Sequence, residues 1–157
     1  MYGLKSIELA VEHAKLKRDA TVKVHAQTQR RLADAEVQLH QLQSYADDTD
    51  AKWVTSAVMA YTAEVMLHHH QFAGRLRQAI GMQTDVIAGL HQAVADAHAI
   101  VLHAEFRLAA IQKLFESRQQ QLMLLRARRD QAQSDELATI QFLRNRKSNT
   151  LGVQHDT

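Results

Sequence analysis

A long heptad repeat occupies residues 59–125, which read MAYTAEVMLHHHQFAGRLRQAIGMQTDVIAGLHQAVADAHAIVLHAEFRLAAIQKLFESRQQQLMLL. Residues in this stretch recur at alternating steps of three and four, the spacing of the two seam positions of a coiled coil. This pattern predicts one long α-helix that buries a narrow stripe of side chains. The steps fall on Met59, Thr62, Met66, His69, Ala73, Leu76, Ile80, Gln83, Ile87, Leu90, Val94, Ala97, Val101, Ala104, Leu108, Ile111, Phe115, Arg118, Leu122 and Leu125.

The same repeat begins near the amino terminus and predicts a first helix. Its middle is polar, and a neighbouring apolar stripe leaves a shift of register open. The good stretches hold Leu4, Ile7, Val11, Ala14, Leu32, Ala35, Leu39, Leu42 and Ala46. The polar positions between them are Arg18, Thr21, His25 and Thr28, and the neighbouring stripe is Leu9, Leu16, Ala20 and Val24.

A cluster of Asp and Thr at residues 47–50 separates the two repeats. These side chains compete with helical hydrogen bonds and favour turns, and the chain has no proline to break a helix elsewhere. We therefore predict an all-α fold, a two-helix antiparallel coiled-coil hairpin with a longer second helix, in a single domain over residues 1–157. The predicted boundaries are helix one at 4–46, the turn at 47–58, helix two at 59–146 and a flexible tail at 147–157.

The predicted helices differ in length by about 45 residues, roughly 65 Å at 1.5 Å per residue. The second half of helix two would then lack an internal partner, and an exposed apolar stripe of that size marks an interaction surface. The sequence leaves open whether this half folds back, bends at Gly81 or Gly89, or self-associates. The apolar residues expected to be unpaired are Leu108, Ile111, Leu114, Phe115, Leu122, Met123, Leu124 and Leu125.

Sequence features typical of enzymes and metal proteins are missing. The chain has no cysteine, no glycine-rich phosphate loop and no nucleophile motif. Its three adjacent histidines, 68–70, point about 100° apart on a helix and cannot chelate one ion. We expect no enzymatic activity, cofactor or metal. No apolar run is long enough to span a membrane, and Glu8 and Glu12 interrupt any signal peptide, so we expect a soluble cytoplasmic protein.

Charge is unevenly distributed along the chain. Residues 15–31 carry six basic side chains against one acidic, residues 32–70 six acidic against one basic, and residues 118–147 seven basic against three acidic. In a hairpin this order predicts an acidic turn end and a basic open end. The interleaved acids and a net charge of only +2 argue against a nucleic-acid-binding protein.

Three motifs carry a resemblance to a known family. Helix one ends with Ala33-x-Ala35-x-x-Gln38-Leu39-x-x-Leu42-x-x-Tyr45. Gln71-Phe72-x-x-x-Leu76-x-x-Ala79-Ile80-x-x-Gln83 follows the turn, and Arg128-Arg129-Asp130-Gln131-x-x-x-Asp135-Glu136-x-Ala138 lies near the end. Together they resemble the FliJ family over nearly the whole chain. The resemblance implies a coiled-coil stalk, similar to that of rotary ATPases, in the flagellar type III export apparatus, at the inner membrane of a motile bacterium.

The resemblance also implies partners and contact residues. It implies binding to the hexameric export ATPase ring, to the cytoplasmic domain of the membrane-embedded export gate, and to export chaperones. The gate contact maps onto Gln38, Leu42, Tyr45, Phe72, Leu76 and Ala79. The sequence departs from the family at Thr49, where an aromatic is expected, and at Gln83, where a His can occur.

The family's ATPase-binding region lies toward the basic end, which makes Arg126, Arg128, Arg129 and Arg144 the expected ATPase contacts. Two other interpretations of the chain stay open at this point. It could be a general coiled-coil scaffold or chaperone, or the equivalent stalk of a virulence-type secretion system. Solvated coiled-coil flanks would account for the same arginines without any partner.

Overall fold

Two α-helices make up the part of the chain that the computed structural model describes, residues 2–56 and 61–152. Helix α1 spans Tyr2–Ser56 (55 residues) and helix α2 spans Ala63–Gly152 (90 residues). Helix α2 continues through Gly81 and Gly89 without a break. The predicted all-α hairpin of two helices, the second one longer, is confirmed.

The chain divides into two compact units. Unit 1 combines Met1–Glu12 with Ala109–Thr157, and unit 2 is His13–Leu108. Each unit therefore contains part of α1 and part of α2. The heptad pattern predicts that the chain is a single domain over residues 1–157, and this stays a prediction.

A continuous seam holds the two helices of unit 2 together. Its most deeply covered side chains are the predicted seam residues Ala14, Ala35, Leu76, Ala97, Val101 and Leu108. The polar seam positions Arg18, Thr21, His25 and Thr28 are half-buried, whereas Leu16, Ala20 and Val24 are exposed. The register therefore does not shift in the polar stretch.

Local hydrogen bonds within α1 satisfy the threonine hydroxyls in the polar part of this seam. The Thr21 hydroxyl donates to the carbonyl of Arg18 (2.7 Å), and the Thr28 hydroxyl donates to that of Val24 (2.8 Å). The His25 ring lies 5.4 Å from the His98 ring across the pair. The hydroxyls thus enter the seam with a partner from their own helix.

Helix α1 ends ten residues later than predicted, at Ser56 rather than at residue 46. The predicted turn at 47–58 is wrong for residues 47–56, which are helical, and residues 57–58 lie outside the described part. Thr49 and Thr55 donate their hydroxyls to the carbonyls of Tyr45 (2.8 Å) and Ala51 (2.6 Å). The three Asp side chains point to solvent, so this polar cluster does not interrupt the helix.

The bounds of α2 also differ from the prediction. Its first turn is capped by Thr62, whose carbonyl accepts from the Met66 amide (3.1 Å) and whose hydroxyl lies 3.5 Å from the Val65 amide. Glu64 adds a negative charge in this first turn, where it interacts favourably with the helix dipole. At the other end the helix runs to Gly152 instead of residue 146. The rest of the predicted tail, 153–157, and the predicted first seam residue, Met59, lie outside the described residues.

Unit 1 has a covered part and an exposed part. Val11 is buried, and Leu4 and Ile7 on α1, like Ile111, Phe115 and Leu122 on α2, are half-buried. Every described side chain from Met123 to Gly152 is exposed. The predicted start of the unpaired apolar stripe, at Leu108, is therefore too early in α2, since Leu108 in unit 2 is only 5% exposed. The cause is the length of α1, which has more residues to pair with α2 than the predicted 4–46.

Candidate partner-binding surface beside the hairpin turn

The six residues predicted to contact the export gate all lie in unit 2, near the turn between α1 and α2. Leu42 and Leu76 are seam residues. The other four occupy the heptad position that immediately precedes a seam residue, called here the g flank, which the two helices of an antiparallel pair present on the same side. We name the set Gln38, Leu42, Tyr45, Phe72, Leu76 and Ala79 the turn patch.

Two exposed aromatic rings stand on the turn patch. The ring centroids of Tyr45 and Phe72 are 6.0 Å apart and their planes meet at 83°, an edge-to-face contact across the helix pair. Tyr45 is 56% exposed and Phe72 is 40% exposed. Large rings held in place at a half-exposed edge are suited to anchor a protein–protein contact.

The other turn-patch residues support the rings or line their surroundings. Leu76 is buried, while Leu42 and Ala79 are half-buried. Gln38 is exposed, and its Oε1 accepts from Nε2 of Gln83 at 3.2 Å. Leu76 therefore forms the floor of the patch and offers little surface to a partner.

Gln83 links the two helices, a role that the seam pattern alone did not indicate. Besides Gln38, its Nε2 reaches the main-chain carbonyl of Ala35 on α1 at 2.9 Å. The amide sits where an apolar seam residue is usual and uses its hydrogen bonds across the interface. A His at this position would have a different donor geometry.

An aromatic stack that the sequence analysis did not single out lies at the end of the hairpin. Trp53 stacks on His69 with centroids 3.9 Å apart and a 3° angle, and on Tyr61 at 4.8 Å and 13°. The available signal was the three-and-four alternation, which continues from Ala46 through Thr49 to Trp53. The Asp residues between these positions predicted a turn, so the continued alternation up to Trp53 was not interpreted as helix.

The stack borders an open cleft of about 550 Å³ next to the turn patch. Tyr45 belongs to both, so the aromatic surface is continuous from Phe72 to Trp53. Thr49, the position where the family pattern expects a ring, is half-buried inside this surface. The cleft is lined by Tyr45, Asp48, Thr49, Lys52, Trp53, Tyr61 and His69.

The four arginines predicted to contact the ATPase are all exposed in unit 1. Arg126 and Arg144 are eighteen residues apart, which is five turns at 3.6 residues per turn, so they share one face of α2. Arg129 lies about 60° from them, and Arg128 lies on the opposite side. The helix therefore groups three of these arginines and separates the fourth.

Two kinds of feature are absent from the described residues. Neither helix contains a stretch long and apolar enough to cross a membrane. Within 2–56 and 61–152, no group of three His, Asp or Glu side chains could hold a metal ion.

Comparison with known proteins identifies the family. The sequence matches the family model described as Flagellar FliJ protein over residues 5–147. Neither the comparison with curated proteins nor that with solved structures gave a match. Because the family match takes in nearly all of both helices and the whole turn patch, the chain belongs to the FliJ family, and its function lies in flagellar protein export.

Proposed function

We propose that this chain is a coiled-coil stalk that joins the flagellar export ATPase ring to the export gate and escorts export chaperones. The observation that carries the proposal is the family match over residues 5–147. That match favours the flagellar apparatus over a general scaffold or a virulence-type stalk. The chain would then act by binding other proteins at the inner membrane, at the base of the flagellum.

The turn patch is the proposed contact with the cytoplasmic domain of the gate. Its support is the half-exposed pair of rings, Tyr45 and Phe72, above an apolar floor. Burying such rings against a partner removes apolar surface from water. Anchors of this kind supply most of the binding energy of a typical protein–protein interface.

The shared face of Arg126, Arg129 and Arg144 is the proposed contact with the ATPase. Three guanidinium groups on one helix face can pair with carboxylates on a partner. Arg128 was predicted with them, but its opposite direction on α2 gives it a smaller role in our proposal.

The proposal is tested by measuring two activities of one set of variants. Added chain should stimulate hydrolysis by the purified export ATPase, and it should bind the purified cytoplasmic domain of the gate. Phe72→Ala should weaken gate binding about tenfold or more, which is the usual effect of removing an aromatic anchor, and should leave ATPase stimulation unchanged. Leu76→Ala is less suitable because Leu76 is buried and its loss would disturb packing.

Phe106→Ala is the matched control for Phe72→Ala. Phe106 is exposed on α2, within unit 2 but away from the turn patch, so both activities should survive its removal. The complementary variant, Arg126→Glu with Arg144→Glu, should reduce ATPase stimulation and spare gate binding, whereas Arg128→Glu should do less. Equal loss of both activities in Phe72→Ala would refute the assignment of separate surfaces.

A further inference from the structure

Helix α2 carries a third apolar row beside its two seam rows. The g flank of α2 is apolar at six consecutive heptads of unit 2, until Arg107 ends the row. A helix that packs against one partner needs only the two seam rows, whereas three apolar positions in seven are typical of a helix with two neighbours in a bundle. The row consists of Val65, Phe72, Ala79, Val86, Ala93 and Ile100.

Part of this row forms a groove toward the end of unit 2 that lies away from the turn. The groove has a volume of about 540 Å³ and runs between the g flanks of α1 and α2. Val24 and Ile100, one from each helix, are 55% and 57% exposed at its sides. Ala20, Ala93 and Ala97 also line it, and their small side chains let a partner approach the backbone closely. A second helix could lie against such a surface.

The opposite flank of the hairpin differs in character. There α2 presents Thr84, His91, His98 and Glu105 at successive heptads. Nε2 of His91 lies 3.6 Å from Oε1 of Glu36 on α1, and both side chains are more than half exposed. One side of unit 2 is thus apolar along α2 while the other is polar, which is the asymmetry expected where a third helix is seated on one side only.

Charge at the groove favours an acidic occupant. Lys17 lines the groove and Arg31 lies two heptads further along the same flank of α1. On this flank of α1 they are the residues one heptad before and one heptad after Val24. Asp96, the acidic residue of the groove lining, accepts a hydrogen bond from Gln92 of its own helix at 2.9 Å. The exposed end of α2 from a second copy is a poor occupant, because it is itself basic.

We propose that this groove receives an amphipathic helix of another protein, with an apolar face that covers Val24 and Ile100 and acidic residues that face Lys17 and Arg31. The inference goes beyond the proposed function, since that function assigns no partner to these residues, and the gate and ATPase contacts include other ones. The mode is a helix-in-groove contact, in which packing supplies affinity and the charged rim selects the partner.

The test uses the full chain and two designed peptides. Each peptide has about 28 residues, roughly 42 Å of helix, with Ile and Leu at the seam positions. One carries Glu and the other Lys at the flanking positions, and each is labelled for fluorescence anisotropy. The Glu peptide should bind, with affinity that falls as salt rises, and Val24→Ser or Ile100→Ser should weaken it about tenfold. Lys17→Glu with Arg31→Glu should weaken it as well.

Matched controls lie on the other sides of the same helices. Val22 is 42% exposed at the polar flank of α1, and Leu102 is exposed on the outer side of α2, so Val22→Ser and Leu102→Ser should leave binding unchanged. Equal weakening by these controls, or equal binding of the Lys peptide, would overturn the proposal. So would sedimentation showing a dimer of the chain alone that Val24→Ser abolishes, because a second copy would then occupy the groove.

Discussion

At the scale of single residues, stacked aromatic rings connect the end of α1 to the start of α2. Trp53, in the last turn of α1, stacks on His69 in the second turn of α2 and on Tyr61, which precedes α2. Stacked rings contribute roughly 0.5–1.5 kcal/mol beyond the area that they bury. The contact explains why α1 stays helical through an acidic segment that favours a turn.

The first prediction concerns this stack. Trp53→Ala should lower the free energy of unfolding by about 1–3 kcal/mol, because it removes two ring contacts and their buried surface. Urea unfolding followed by circular dichroism measures the change. Val54→Ala, one residue away and well exposed, should change it by less than about 0.5 kcal/mol. Similar values for the two variants would contradict the role given to the stack.

Gln83 gives a second prediction at this scale. Gln83→Ala should cost about 1–2 kcal/mol of stability, since two hydrogen bonds to α1 are lost. Gln78→Ala serves as the control, because Gln78 is exposed on the same helix and the two substitutions change helix propensity equally. Thermal and urea unfolding of both variants measure this cost. If the stability of Gln83→Ala were unchanged, the hydrogen bonds from Gln83 to α1 would contribute nothing.

At the scale of the helices, the decisive feature is that the heptad register of α1 stays the same through a polar stretch of the seam. The seam passes through Arg18, Thr21, His25 and Thr28, although an apolar stripe lies beside it. A shift to that stripe would expose the good seam stretches on either side, and Ala14 and Ala35 are among the most buried residues of the chain. The well-packed seam stretches on either side therefore fix the heptad register of the polar stretch between them.

Two leucines of α1 test this register. Leu32 lies in the seam and is half-buried, whereas Leu16 lies on the neighbouring stripe and is 68% exposed. Leu32→Ala should destabilise the protein by about 2 kcal/mol through lost burial and a cavity, and Leu16→Ala should stay within about 0.5 kcal/mol. If Leu16→Ala were the more costly change, the register described here would be wrong.

The final thirty residues of α2 behave differently from the rest of the helix. From Met123 to Gly152 no described side chain is covered, so helical structure there relies on local hydrogen bonds alone. Amides of this segment should exchange with deuterium faster than those of residues 73–108, as mass spectrometry can measure. The export ATPase, when added, should protect residues 126–144. Slow exchange in the free chain would contradict the account.

Most of the fold follows from periodicity, and the misses have physical causes. The seam residues from Ala73 to Ala104 are buried or half-buried as predicted. The end of α1 was wrong because Asp and Thr propensities are weak beside tertiary contacts such as the Trp53 stack. Leu108 was expected to be free because α1 was taken as too short. The positions of Tyr45 and Phe72 could be predicted from their heptad place, but the Trp53–His69 contact depends on how the chain reverses, which periodicity does not encode.

At the scale of the whole molecule, the chain combines a narrow core with much exposed apolar surface. None of its described large side chains is fully buried. Many Leu, Ile, Val, Phe and Met side chains face solvent in both units. A two-helix seam is enough to fix the turn patch and the groove in unit 2, and it leaves those surfaces available to partners. This arrangement is consistent with the binding role that we propose for this member of the FliJ family.

The central claim, that this chain serves flagellar export through its turn patch, is tested most directly by swimming of a deletion strain in soft agar. Deletion should abolish or strongly reduce swimming, and the intact chain or Phe106→Ala should restore it. The double variant Tyr45→Ala with Phe72→Ala should accumulate to the normal level and fail to restore it. Normal swimming of the deletion strain, or full rescue by the double variant, would contradict the account.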